Sequence, residues 1–142
     1  MKHSCVATAS ASLMALMLFS AAALAQPGKT DTGKQEFDAN CAVCHASDGR
    51  GNGPFVQYLR SSPPDLTTLS QRNGGVLPVN RVVQTIEGRD VPSHTARDMP
   101  IWGNAFRVQA GEYYVDVPYD PAVYARSRIL SLVDYINRLQ QR

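Results

Sequence analysis

Cysteine is scarce in this 142-residue chain: there are three, and one of them, Cys5, lies in an uncharged N-terminal stretch. So few thiols exclude a small scaffold stapled by several disulfides. Charge of one sign is also missing, with 14 basic residues against 12 acidic ones. No basic run or face stands out, which excludes the electrostatic footprint of a nucleic-acid binder. Methionine is rarer than its count of four implies, because Met1, Met14 and Met17 all fall in the N-terminal stretch and leave Met99 alone in the rest of the chain.

Residues 5–25 carry no charge, Lys2 precedes them without a nearby acid, and Ala23-Leu24-Ala25 closes the stretch with small residues. This is the pattern of a secretory signal peptide cut after Ala25. An uncleaved anchor is the alternative reading, since the run approaches the length of a membrane span. Cleavage leaves a flexible polar leader at 26–32 and a single domain at 33–142. It also leaves 13 basic residues against 12 acidic ones, Lys2 being the only charge removed. Cys41 and Cys44 are then the only thiols, and the destination is the periplasm.

Those two cysteines form Cys41-Ala42-Val43-Cys44-His45. A pair of thiols three positions apart with a histidine behind the second is the spacing by which a chain attaches haem covalently. One helical turn brings each sulfur to a vinyl group of the porphyrin edge, and His45 follows beneath the ring as an iron ligand. A redox-active CxxC would sit in a βαβ pattern, which the flanks do not show. A structural zinc site takes four ligands, and after His45 the chain offers only His94.

Residues 33–41 read as a first helix, with Asp31 or Thr32 as its cap and Phe37 and Cys41 on one face. Gly33 at its start marks either a close approach or a simple terminus. Three glycines and a proline between Asp48 and Pro54 dictate a loop. A short apolar piece follows at 55–59, then a second loop around Pro63-Pro64, where Asp65 or a following Thr can cap a short helix. Residues 80–87 predict a helix capped by Asn80 and stopped by Gly88. A long helix over 125–139 places Ile129, Leu132, Val133, Ile136 and Leu139 on one stripe, with Arg128, Asp134, Asn137 and Arg138 outside it.

Met99 precedes Pro100, which holds it extended and suits it to present its thioether from a loop. As the one methionine outside the leader, it is the candidate sixth ligand, and His94 is a competitor five residues earlier. Residues 104–124 hold Tyr113, Tyr114, Tyr119, Tyr124 and two prolines. They read as a surface loop over the carboxylate edge of the cofactor, or as a docking segment, since tyrosine is favoured at interfaces.

In this order of CxxCH, proline loop, Met-Pro loop and C-terminal helix, the chain resembles the small periplasmic monohaem proteins of the class I bacterial cytochrome c family, over roughly residues 33–139. The resemblance implies an all-α fold of three to five helices wrapped around one covalently bound haem c. It also implies thioether attachment at Cys41 and Cys44, and iron ligation by His45 and Met99. Gly33 and Phe37 would cross the C-terminal helix near Tyr135, and a carbonyl of the Pro63-Pro64 loop would accept from the imidazole of His45 and orient it.

An iron with both axial positions filled leaves no place for substrate, so the expected role is one-electron transfer between redox partners rather than catalysis. Methionine ligation favours Fe(II). The expected partners are a dehydrogenase, a quinol–cytochrome c reductase or a terminal oxidase. No nucleic acid is involved, and the membrane is reached only through partners unless the signal stays uncleaved. A dedicated subunit of a periplasmic dehydrogenase complex is the second reading. A gas sensor or peroxidase-like enzyme, which needs Met99 to leave the iron, stands well behind both.

Overall fold

In the computed structural model, residues 30–89 and 99–141 are described. They form five α-helices and three single 3₁₀ turns, with no strand among the described residues. The helices belong to a compact unit that begins at Asp31.

The first helix, α1 (Thr32–Asn40), starts where the Asp31 carboxylate accepts from the Lys34 backbone N–H at 3.0 Å. That is the N-cap bond, which satisfies one of the donors a helix start leaves open. Of the two caps the sequence allows, Asp31 is the one used. The helix stops one residue short of the expected Cys41, whose φ of −113° turns the chain into a second, four-residue helix, α2 (Ala42–His45). Single 3₁₀ turns follow at Val56–Tyr58, Leu66–Thr68 and Gln71–Asn73. The middle one is capped by Asp65, which accepts from the Thr67 N–H at 2.8 Å.

Helix α3 (Val79–Glu87) begins one residue earlier than predicted, and Pro78, not Asn80, holds the N-cap position. Proline has no side-chain acceptor to offer as a cap; the first N–H of the helix, that of Val79, donates instead to the Leu77 carbonyl at 2.8 Å. The stop falls at Gly88 as expected, at φ 77°.

The expectation of a surface loop over 104–124 is overturned. Most of it is helix: α4 (Trp102–Tyr113) buries Gly103, Phe106 and Ala110 at helical spacing. These positions supply one apolar stripe, and burying Phe106 completely is worth about 2–3 kcal/mol. Only residues 114–120 turn the chain before α5 (Pro121–Arg138), which starts four residues ahead of the predicted boundary. Asp120 caps it by accepting from the Ala122 N–H at 2.8 Å, and Pro121 takes the first helical position.

Helix α5 is the spine, packing against α1, α4 and α3. Ile129, Leu132, Val133 and Ile136 are buried along it, joined by Phe37 from α1 and Phe106 from α4. Where α1 crosses α5, Phe37 and Tyr135 meet with ring centroids 5.1 Å apart. A Cβ at Gly33 would lie 3.0 Å from that of Tyr135 and collide with the Ser131 carbonyl. Close approach, and not a mere helix end, is therefore what places glycine here.

Arg128 is not outside the stripe as the periodicity implies. Its guanidinium pairs with Glu36 of α1 and lies over the rings of Phe106, 5.9 Å away, and Tyr124, 5.3 Å away. Glu36 is 5% exposed. Burial pushes its carboxyl above the usual range, and Arg128 and Asn40 offset part of that rise.

Candidate haem site

The loop after His45 folds back on the CxxCH turn. Backbone N–H groups of Gly51, Gly53 and Phe55 donate to the carbonyls of His45, Cys44 and Val43 at 2.9, 3.0 and 3.0 Å. Those are the carbonyls that a helix end leaves without partners, so the loop caps α2 and fixes its side chains. The fit leaves no room for a side chain at Gly53, where a Cβ would lie 2.5 Å from the Val43 oxygen and 2.7 Å from that of Cys44. The sequence signalled a loop here but not this capping role. Ala46 follows His45 at φ 62°, ψ 162°, a region that costs a non-glycine residue about 1–3 kcal/mol.

Cys41, His45 and Met99 line one cavity of about 340 Å³, within the range of small-molecule and cofactor pockets. A smaller space of about 90 Å³ is lined by Cys41, Cys44, His45, Met99, Pro100 and Trp102. All four residues picked from the sequence therefore converge, and Cys41, His45, Pro64 and Met99 border both spaces. His45 is buried, and Met99 half-buried. His94, the rival ligand, lies outside the described residues, as do residues 1–29 with Cys5.

The walls fit a flat, amphipathic macrocycle. Phe37, Leu66, Leu69, Ile86, Leu132 and Ile136 supply apolar surface, and Arg72 and Arg81 bring two cationic groups to the larger cavity. Such a pairing suits a ring with two carboxylates on its rim. Arg72 is held in place by donating to the Asp65 carbonyl at 2.6 Å. It is the 3₁₀ turn at 71–73 and α3 that bring charge to this cavity, not residues 104–124.

Neither thiol is disposed to redox chemistry of its own. Burial, with smaller contributions from Glu36 and Cys44, pushes the Cys41 thiol up to about 12. Burial raises Cys44 as well. Redox-active CxxC thiols have lowered values, so the thioredoxin-like alternative loses its chemistry. Among the described residues no three His, Cys, Asp or Glu side chains gather as a metal cage.

Residues 30–99 match the family model for cytochrome c. No curated protein and no solved structure matches the chain. Taken with the all-helical architecture and the convergence on Cys41-x-x-Cys44-His45, the match identifies residues 30–99 as a cytochrome c domain, a family whose covalently bound haem c serves electron transfer.

Proposed function

We propose that this chain is a periplasmic one-electron carrier with a single haem c, attached at Cys41 and Cys44 and ligated by His45 and Met99. The observation that carries the reading is the convergence of Cys41, His45 and Met99 on one apolar cavity. Among the described residues that face it, only His45 and Met99 combine ligand chemistry with a position free of the thioether role.

The bound group supplies an iron that cycles between Fe(III) and Fe(II). The chain's residues decide how easily. His45, held by a capped turn, presents an imidazole in a fixed place. Met99 adds a soft thioether that favours the reduced state. Phe37, Leu132 and Ile136 exclude water, and an apolar surround disfavours the extra positive charge of the oxidised iron. Arg72 and Arg81 would balance the carboxylate rim of the bound group. With His45 and Met99 both holding the iron, no ligand place would be left there for substrate, and the chain would act as an electron carrier.

Export through the signal at 1–25 supports a periplasmic site of action, with a dehydrogenase, a quinol–cytochrome c reductase or a terminal oxidase as electron partners. The carrier reading is tested by the intact mass of the protein purified from the periplasm, with a redox titration. The expected mass is that of a chain starting at Gln26 plus one haem, and the titration follows a single one-electron curve. A haem-free mass or more than one redox step contradicts it. The second reading, a dedicated subunit of a dehydrogenase complex, is favoured by the exposed tyrosines between α4 and α5.

A further inference from the structure

Four tyrosines gather around Tyr114 where α4 gives way to α5: Tyr113 at the end of α4, Tyr114 and Tyr119 in the turn and Tyr124 in α5. Tyr114 stacks on Tyr119 with centroids 4.2 Å apart, and meets Tyr113 at 4.9 Å and Tyr124 at 5.9 Å edge-on. The cluster is not buried: Tyr113 is 76% exposed, and Val115 beside it 77%. Contiguous exposed apolar surface of this kind marks interaction sites, and rigid aromatic rings are the residues that interfaces enrich.

Three further features define what would cover it. First, the surface is preorganised. Tyr124 is pinned beneath Arg128, which is anchored to buried Glu36, and Asp120 caps the helix that carries Tyr124. Little conformational freedom is left to lose on binding. Second, the charge is one-sided. Between Arg107 and Arg126 there is no lysine or arginine, while Glu112, Asp116 and Asp120 are all exposed. Third, the tip lies apart from the haem site. Trp102, which borders the smaller cavity, and Tyr113 stand at opposite ends of α4, about 16 Å apart along its axis.

A second copy of this chain is a poor occupant. A two-fold contact sets the same patch against itself, which would bring six carboxylates together, and like charges across an interface oppose binding.

We propose that the Tyr113–Tyr114–Tyr119–Tyr124 cluster, rimmed by Glu112, Asp116 and Asp120, is a docking face for a different protein that presents an apolar centre ringed by lysine or arginine. It holds that partner while leaving the haem edge open for exchange. The inference rests on the carrier reading only for the partner's role in electron transfer. The face itself is defined by the rings and the carboxylates.

The test places the photoreactive residue p-benzoylphenylalanine at Tyr113 of the full haem-loaded chain in its own cells, with the same residue at exposed Leu130 of α5 as control. The expected result is a cross-link from position 113, and not from 130, to one other protein, within a peptide rich in lysine or arginine. The two purified proteins should then bind, and Glu112→Lys with Asp116→Lys, which leave the Asp120 cap intact, should weaken binding about tenfold at low salt without altering the visible spectrum. A cross-link to a second copy, no cross-link above the control, or binding indifferent to the charge reversal overturns the proposal. Haem content measured on the same samples keeps the two readings apart: its absence sinks the carrier reading, whatever position 113 captures.

Discussion

Gly33 of α1 meets Ser131 of α5 with no space between them: a Cβ on Gly33 would lie 2.9 Å from the Ser131 carbonyl carbon and overlap its oxygen. The obstacle is backbone, so no rotamer change can relieve it. Gly33→Ala should cost at least about 1–3 kcal/mol, the range for overpacking, and Ser131→Gly should not rescue it. Urea unfolding midpoints of the single and double variants decide the point.

Arg128→Met leaves the Glu36 carboxylate buried without its cation. Removing one partner of a buried pair costs about 3–5 kcal/mol, and the partial exposure of Arg128 places the loss at the lower end. The pH dependence has a definite sign. The folded carboxyl lies above its usual value because of burial, so the cost of keeping it charged is present at neutral pH and falls as pH drops through that raised value. The deficit of the variant should therefore shrink on acidification, as followed by thermal unfolding from neutral pH to about 5.

At the surface the sign reverses. The Lys34 N–H that Asp31 accepts, helped by Arg138, holds the Asp31 carboxyl below the ordinary carboxylate value. Its contribution is present above the unfolded value of about 4 and is lost as pH falls through the lower folded one. Asp31→Asn keeps a cap and removes the charge, so its acid unfolding curve should be shallower than that of the native protein below about pH 4.

Ala46 stands in backbone territory that glycine tolerates far better, directly after His45. Ala46→Gly should raise stability by about 1 kcal/mol, against the usual penalty for glycine. A lower unfolding midpoint for the variant would count against the strained turn.

Gln140 ties the C-terminus to the cavity wall. Its amide accepts from the Ser70 N–H at 2.8 Å and donates to the Leu66 and Ile136 carbonyls at 2.7 and 2.8 Å. Gln140→Ala should cost about 1–3 kcal/mol through the part-buried groups it strands. Hydrogen exchange at Ser70 should accelerate in step with that loss.

The site was far more legible than its surroundings. Cys41, Cys44 and His45 announce themselves because their chemistry requires a fixed local spacing, and Met99 because no other methionine competes with it. Helix α4 is masked in the sequence by Pro118, Pro121 and the tyrosines, which mark a loop at its far end. The signal was present in Trp102, Phe106 and Ala110 at successive four-residue steps. The Glu36–Arg128 pair joins positions 92 apart in the chain, and no local pattern carries such a contact: Arg128 reads as a solvated neighbour of the stripe until α1 and α4 are in place. The capping of α2 by Gly51, Gly53 and Phe55 was hidden for a similar reason, since glycines announce a loop but not what its amides will meet.

The central claim is ligation of one haem by His45 and Met99, and the most direct measurement is the optical spectrum of the oxidised protein beside that of Met99→Ala. The account predicts a weak far-red band, the mark of methionine sulfur on ferric haem, present in the native protein and absent from the variant while the haem remains attached. A native spectrum without that band, or a variant that keeps it, would contradict the assignment of Met99.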